Sequence, residues 1–170
     1  MIKNNSNNLF KKLLNENNSE TLATENPRTE NKVAKSIIDF STSSVAVMEN
    51  VGSVNITIER RGKLHDEVTV KVDTVDGSAE EGDDYVGIHD IFTFVPGESE
   101  IQVNVKIIDD DQWEPDEEFF LKISLDPSSD NKSVIIGKKN IMTIITLNDD
   151  EPGTFGFDKR GHFVKVRCRG

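Results

Sequence analysis

The stretch IIDDDQWEPDEEFF, residues 107–120, holds seven acidic side chains among the ten positions from Asp109 to Glu118. Both of its flanks read as buried β-strand. Carboxylates ~5 Å apart at an effective dielectric of ~20 repel by roughly 3 kcal/mol per pair. A turn so charged either splays into water or is held together by cations. Other apolar runs are also followed by acids: Glu49 in MENVG, Asp76, Glu80, Glu81, Asp83 and Asp84 in DGSAEEGDDY, and Asp149, Asp150 and Glu151 in NDDEP. Oxygen donors in this number suit a hard cation. Calcium takes roughly six to eight oxygens at about 2.3–2.6 Å and tolerates bidentate, irregular geometry, whereas magnesium prefers a tighter octahedron and keeps more water. Zinc fits poorly, because His65, His89 and His162 are dispersed without ligand spacing. The stretch is not an EF-hand loop: neither the glycine at its sixth place nor the glutamate at its twelfth is present for any start near Asp109. So many carboxylates imply more than one ion, with some acids bridging neighbouring sites.

The elements that must position these acids are strands. From Ile37 onward the chain alternates apolar and polar residues at period two. Strand A covers about 37–48 in two pieces around STSS, and strand B is SVNITIER with Val54, Ile56 and Ile58 on one face. Strand C is EVTVKVDTV with Val68, Val70 and Val72 inward, and strand D is DIFTFV. Strand E, SEIQVNVKII, turns Ile101, Val103, Val105 and Ile107 inward, and strand F, EFFLKISL, does so with Phe119, Leu121, Ile123 and Leu125. Strand G is NIMTIITL. Turn signals separate them: RRGK, DGSAEEG, VPGE and DPSSDNKS, with Gly77, Gly82 and Gly97 serving turns. The expected fold is all-β, a seven-stranded antiparallel sandwich of immunoglobulin-like size, without the Cys…Trp…Cys signature of true immunoglobulin domains. In such a sandwich strands A, C, E and G run the same way, so the acids that follow each of them meet at one pole. The loops after B and D carry three basic groups and one acid. Trp113 is expected to anchor its loop by packing on the end of the sandwich.

Charge and composition divide the chain further. Residues 1–35 carry nine asparagines and read as a flexible tail in which LFKKLL could make a short amphipathic turn. Residues 36–153 carry nine basic and 26 acidic side chains, a net of −17, which repels nucleic acid and anionic membrane and attracts cations. After NDDEPG, residues 154–170 restart the pattern of strands A and B and read as the truncated opening of a second copy. The single cysteine, Cys168, permits no internal disulfide, which fits a reducing compartment. No apolar run approaches the ~20 residues of a membrane span, so no direct membrane insertion by this chain is expected. The start, MIKNNSNNLFKKLL, lacks the apolar core of a secretory signal. Paired carboxylates also serve glycosidases, but here they are too many for an acid–base pair. No Ser/His/Asp or Cys/His constellation accompanies them, so no enzyme is expected.

The combination of MEN, GSAEEGDDY, FVPGESE, VKIIDDDQWEPDEEFFLKI and LNDDEPGTFGF resembles the Calx-beta domain from about Ile37 to Gly153. In particular it resembles the first of the two cytosolic regulatory calcium domains of sodium/calcium exchangers, which runs into the second through an acid-rich hinge. The resemblance implies a domain at the cytoplasmic face of the plasma membrane. It implies as partners several calcium ions, an adjacent Calx-beta domain and the transmembrane exchanger domain. It also implies the ligands: Glu49 from the A–B loop, Asp84 from the C–D loop, Asp109, Asp110 and Asp111 after strand E, then Glu114 and Glu117, and Asp149 and Asp150 after strand G. Asn148 departs from the pattern, standing where a third consecutive Asp is common, and implies weaker occupancy of one ion site near the hinge. Pro115 likewise replaces a commonly acidic position and stiffens its turn. The implied mechanism is an electrostatic switch: repulsion loosens the acidic loops and hinge without calcium, and calcium orders them. The rival reading is a calcium-rigidified Calx-beta repeat of an extracellular matrix or adhesion protein, favoured by the glycosylation sequons Asn55-Ile-Thr and Asn131-Lys-Ser.

Overall fold

Alternating burial along each strand decides which side chains build the core. The computed structural model describes residues 11–12, 35–110, 112–126, 133–153, 155–157 and 163–165. Its strands are β1 (Ser36–Phe40), β2 (Ser44–Met48), β3 (Ser53–Gly62), β4 (Val68–Val75), β5 (His89–Phe94), β6 (Glu100–Lys106), β7 (Glu117–Leu125), β8 (Val134–Ile136) and β9 (Ile141–Leu147). In β4 the buried residues are Val68, Val70, Val72 and Thr74, every second position, as the valine spacing predicts. The strands form a four-stranded sheet, β6-β3-β1-β8, and a five-stranded sheet, β2-β9-β7-β4-β5. Ile38, Phe40, Ile56, Ile58, Val103 and Val105 from the first meet Val70, Val72, Phe119, Leu121, Ile123 and Ile144 from the second. A further hairpin joins β10 (Phe155–Phe157) to β11 (Phe163–Lys165) in antiparallel pairing. Lys11 and Lys12 are helical, while the rest of residues 1–34, where a flexible tail is expected, lies outside the described residues.

All seven expected stretches form strands, but the sandwich has nine strands among the described residues and two of its pairings are parallel. Strand A changes sheets: β1 pairs antiparallel with β3, and β2 pairs parallel with β9. The stretch read as a long turn before strand G contains β8, which runs parallel to β1. Asp39 holds that region in place. Its buried carboxylate accepts the Lys139 N–H at 2.9 Å and a bond from the Arg61 guanidinium. The RRGK turn also needs correction, because β3 continues through Arg60 and Arg61 to Gly62. Arg60 follows the inward parity of Ile56 and Ile58 and is only 2% exposed. It stays inside because carbonyls close the end of the sandwich around it: its Nη2 donates to Lys63 O at 3.0 Å and Asp66 O at 2.6 Å.

Strand direction delivers the acidic loops to one pole. β2 and β4 both run parallel to β9, since each is related to it through the pairings of β7 and β9. The short link from β2 starts β3 at that same pole, and β3 pairs antiparallel with β6 from Ser53 opposite Lys106, so β6 ends there too. Backbone bonds then stitch the loops together. Ile107 N–H donates to Gly52 O at 3.1 Å and Ile108 N–H donates to Asp84 O at 2.9 Å.

The aromatic that closes this end is Tyr85, not Trp113. Tyr85 is fully buried, its ring stacked on Phe119 with centroids 3.8 Å apart and its hydroxyl donating to Asp76 Oδ1 at 2.5 Å. With that place filled, Trp113 stands 55% exposed. Gly82 and Gly97 have the positive φ of turn glycines, but Gly77 serves close approach instead. Ser78 and Ala79 N–H groups donate to Glu118 O at 2.9 and 3.1 Å, and a Cβ on Gly77 would lie 2.1 Å from that same oxygen. Gly77→Ala must therefore push the C–D loop off β7. We expect a loss of roughly 1–3 kcal/mol, the usual cost of overpacking, read as a lower urea midpoint; an unchanged midpoint would contradict this packing.

Candidate metal centre

The short turns at this pole are built by residues that leave backbone groups free to bind each other. Glu49 opens a single 3₁₀ turn, Glu49–Val51, which Gly52 ends with φ of 75°. In the C–D loop, Asp76 Oδ1 accepts the Glu81 N–H at 2.9 Å as well as the Tyr85 hydroxyl, and Asp84 Oδ2 accepts the Glu80 N–H at 2.7 Å. In the E–F loop the Asp110 carboxylate accepts both the backbone N–H and the side-chain amide of Gln112, each at 2.7 Å. The C–D and E–F loops thus satisfy several of their own donors with their own carboxylates.

The result is a pocket lined by Glu49, Asp84, Glu114, Glu117 and Asn148 together with Ile108, Pro115 and Thr146. Carboxylate oxygens of Asp84, Glu114 and Glu117 lie within 4.8 Å of one another. Asp109 and Asp110 are exposed on the rim, and their charges act on Glu49, which also accepts the Asp110 N–H. Asp149 accepts a bond from the Asn50 amide, which ties the segment after β9 to the A–B turn. Asp150 is half-buried and its carbonyl accepts the Asn148 amide at 2.7 Å. Asp111 lies outside the described residues. The acids outside the expected set have other work: Glu81 and Asp73 flank His89 at 3.1 Å each, and Asp116 accepts the Asn148 N–H at 3.2 Å. Asn148 is more than a neutral substitute in a row of acids, because its side chain also accepts the Glu114 N–H at 3.2 Å.

Crowding raises the proton affinity of these groups. Partial burial, then the charges of Asp110, Asp109 and Glu114, push the Glu49 carboxyl up to about 7. Burial and the neighbouring Asp84 push Glu117 up to about 7 as well, and Glu114 rises for the same kinds of reason. A divalent cation reverses both causes at once, since it offers the oxygens a partner and cancels their mutual repulsion. Three carboxylates at this spacing, with more on the rim, match the all-oxygen set that calcium takes at about 2.3–2.6 Å.

The sign of the pH dependence follows. Both raised values exceed the ordinary value of 4.5, so from about pH 4.5 to 7 the metal-free fold binds more protons than the unfolded chain. Stability then falls as pH rises through that window and levels off above it. His89, raised by Glu81 and Asp73, adds to the same fall, whereas Asp66 and Asp73, lowered by their partners, act below pH 4. Thermal unfolding in chelator at pH 5, 6, 7 and 8 should show the decline; a flat or rising profile would contradict the crowding.

Comparison with known proteins covers the two-sheet sandwich and its acidic loops. The Calx-beta domain model matches residues 31–151. Sodium/calcium exchanger Calx of Drosophila melanogaster is 35% identical over 118 residues, which make up 69% of this chain and 12% of the fly protein. This chain thus corresponds to a small part of that exchanger. The crystal structure of the apo-form Calx CBD1 domain superposes with a TM-score of 0.64 at 33% identity, covering 68% of this chain and 99% of that one. The crystal structure of CBD12 from CALX1.2 gives a TM-score of 0.63 at 33% identity, over 72% of this chain and 49% of that one. Sandwich, acidic pole and sequence agree: this chain belongs to the Calx-beta domain family.

Proposed function

We propose that this chain is a regulatory calcium-binding domain of a sodium/calcium exchanger-type transporter, acting at the cytoplasmic face of the membrane. Several calcium ions bind at the acidic pole, held by Glu49, Asp84, Asp109, Asp110, Asp111, Glu114, Glu117, Asp149 and Asp150. The observation that carries this reading is the convergence of Asp84, Glu114 and Glu117 oxygens within 4.8 Å, from two separate loops and the start of a strand. Calcium holds loops that otherwise repel, and in doing so fixes the hinge at 148–153 through Asp149 and Asp150. Residues 154–170 open a second Calx-beta domain, and the transmembrane exchanger domain of the parent protein receives the signal. A ligand shifts such an equilibrium only by its differential affinity for the loose and ordered states. The chain has no catalytic role in this scheme; its acids act by binding.

The extracellular repeat draws little from the fold. Asn55 of the first sequon sits within the paired strand β3, its amide oxygen accepting the Asn104 amide at 2.8 Å. The second sequon, at Asn131, lies outside the described residues.

Calorimetric titration of the 170-residue chain with calcium, and then with magnesium, tests the reading. We expect calcium binding at more than one site and a much weaker magnesium response. Each site at a hundredfold excess over its Kd adds about 2.7 kcal/mol of stability. Two such sites raise Tm by more than about 10 °C. Replacing Asp109 and Asp110 together with Ala should remove most of that rise. A chain that melts at one temperature in chelator and in millimolar calcium would refute the proposal.

A further inference from the structure

Among the carboxylates lining the pocket stands one asparagine, Asn148, which makes two hydrogen bonds with its side-chain amide and one with its backbone N–H. Asn148 Oδ1 accepts the Glu114 N–H at 3.2 Å, its Nδ2 donates to the Asp150 carbonyl at 2.7 Å, and its own N–H donates to Asp116 Oδ1 at 3.2 Å. The side chain is half-buried in the pocket wall, directly after β9 ends at Leu147. One side chain therefore links the E–F loop, which carries Glu114, to the hinge, which carries Asp149 and Asp150. The bond to Asp150 bridges across Asp149 and fixes the backbone on which that acid is presented. No charge is involved in either side-chain bond, so repulsion in the metal-free state does not weaken them. A carboxylate here could accept the Glu114 N–H but could not donate to the Asp150 carbonyl, and it would add to the local repulsion.

We propose that Asn148 is a positioning residue: an ion-independent latch that holds the start of the hinge on the E–F loop before calcium arrives. This rests on the calcium reading above and deepens it. With the latch closed, binding orders the loop tips around a hinge root already in place, so less conformational freedom is lost on binding. Preorganisation of this kind raises affinity without adding a ligand.

Amide hydrogen exchange by NMR on the full chain, with calorimetry alongside, tests the latch through Asn148→Ala and Asn148→Asp. In chelator, the Glu114 amide of Asn148→Ala should exchange roughly five- to tenfold faster than in the unaltered chain, as expected for the loss of about one net hydrogen bond. The Leu121 amide in β7 should accelerate by no more than that factor, since the lost bond is shared by local and global opening. Asn148→Asp keeps the acceptor and should restore protection at Glu114. Calcium affinity of Asn148→Ala should fall by a similar factor with the number of ions unchanged. Equal Glu114 exchange in the unaltered chain and Asn148→Ala, or faster exchange at Glu114 that Asn148→Asp does not reverse, overturns the latch while calcium binding stands. Protection at Glu114 in chelator, lost in Asn148→Ala, in a chain that binds no calcium would support the latch and sink the calcium reading instead.

Discussion

Repulsion among carboxylates held at fixed positions is the constraint on which the rest of this structure depends. In a free loop such groups would separate into water at little cost. Here they cannot, because the loops leave strands that are packed through a common core and are stitched to each other by backbone bonds such as Ile107 to Gly52 and Ile108 to Asp84. The strain shows in Glu49 and Glu117, whose carboxyls are pushed up to about 7 by burial and by their neighbours. A scaffold that keeps acids together against their repulsion stores a preference for whatever cancels it, and a calcium ion is a compact way to do so.

The scaffold meets that demand with contacts that pair no two charges. The Tyr85 ring on Phe119 seals the core immediately below the acids. Gly77 lets the C–D loop lie against the Glu118 carbonyl, and the Asp76 carboxylate gathers two donors of the same loop. Asn148 joins the E–F loop to the hinge by amide bonds alone. Charge supplies the repulsion at this pole, and hydrogen bonds and packing supply the geometry that holds the charges there.

Much of this was legible from the residues. Val68, Val70 and Val72, or Ile101, Val103 and Val105, state their strand and its inward face by parity, because burial on one side of a sheet enforces period two. Parity also brings the acidic loops together, since it needs only the order and direction of strands. What escaped were features decided by tertiary partners. Nothing in RRGK announces that Arg60 turns inward, because the carbonyls of Lys63 and Asp66 that receive it are placed by the fold. The short strand β8 forms because β1 offers an edge and Asp39 captures the Lys139 N–H. Trp113 looked like the anchor and Tyr85 took that place, since size alone does not say which aromatic reaches the core. Asn148 read as a missing charge, and nothing in NDDEP announces that its side chain accepts the Glu114 N–H and donates to the Asp150 carbonyl.

The account turns on oxygens from separate loops sharing one divalent ion. Crystals grown in millimolar calcium test this most directly. The account predicts an ion between Asp84, Glu114 and Glu117 with carboxylate oxygens at about 2.3–2.6 Å, and further ions toward Glu49, Asp109 and Asp110. A pocket holding only water, with its carboxylates turned apart, would contradict it.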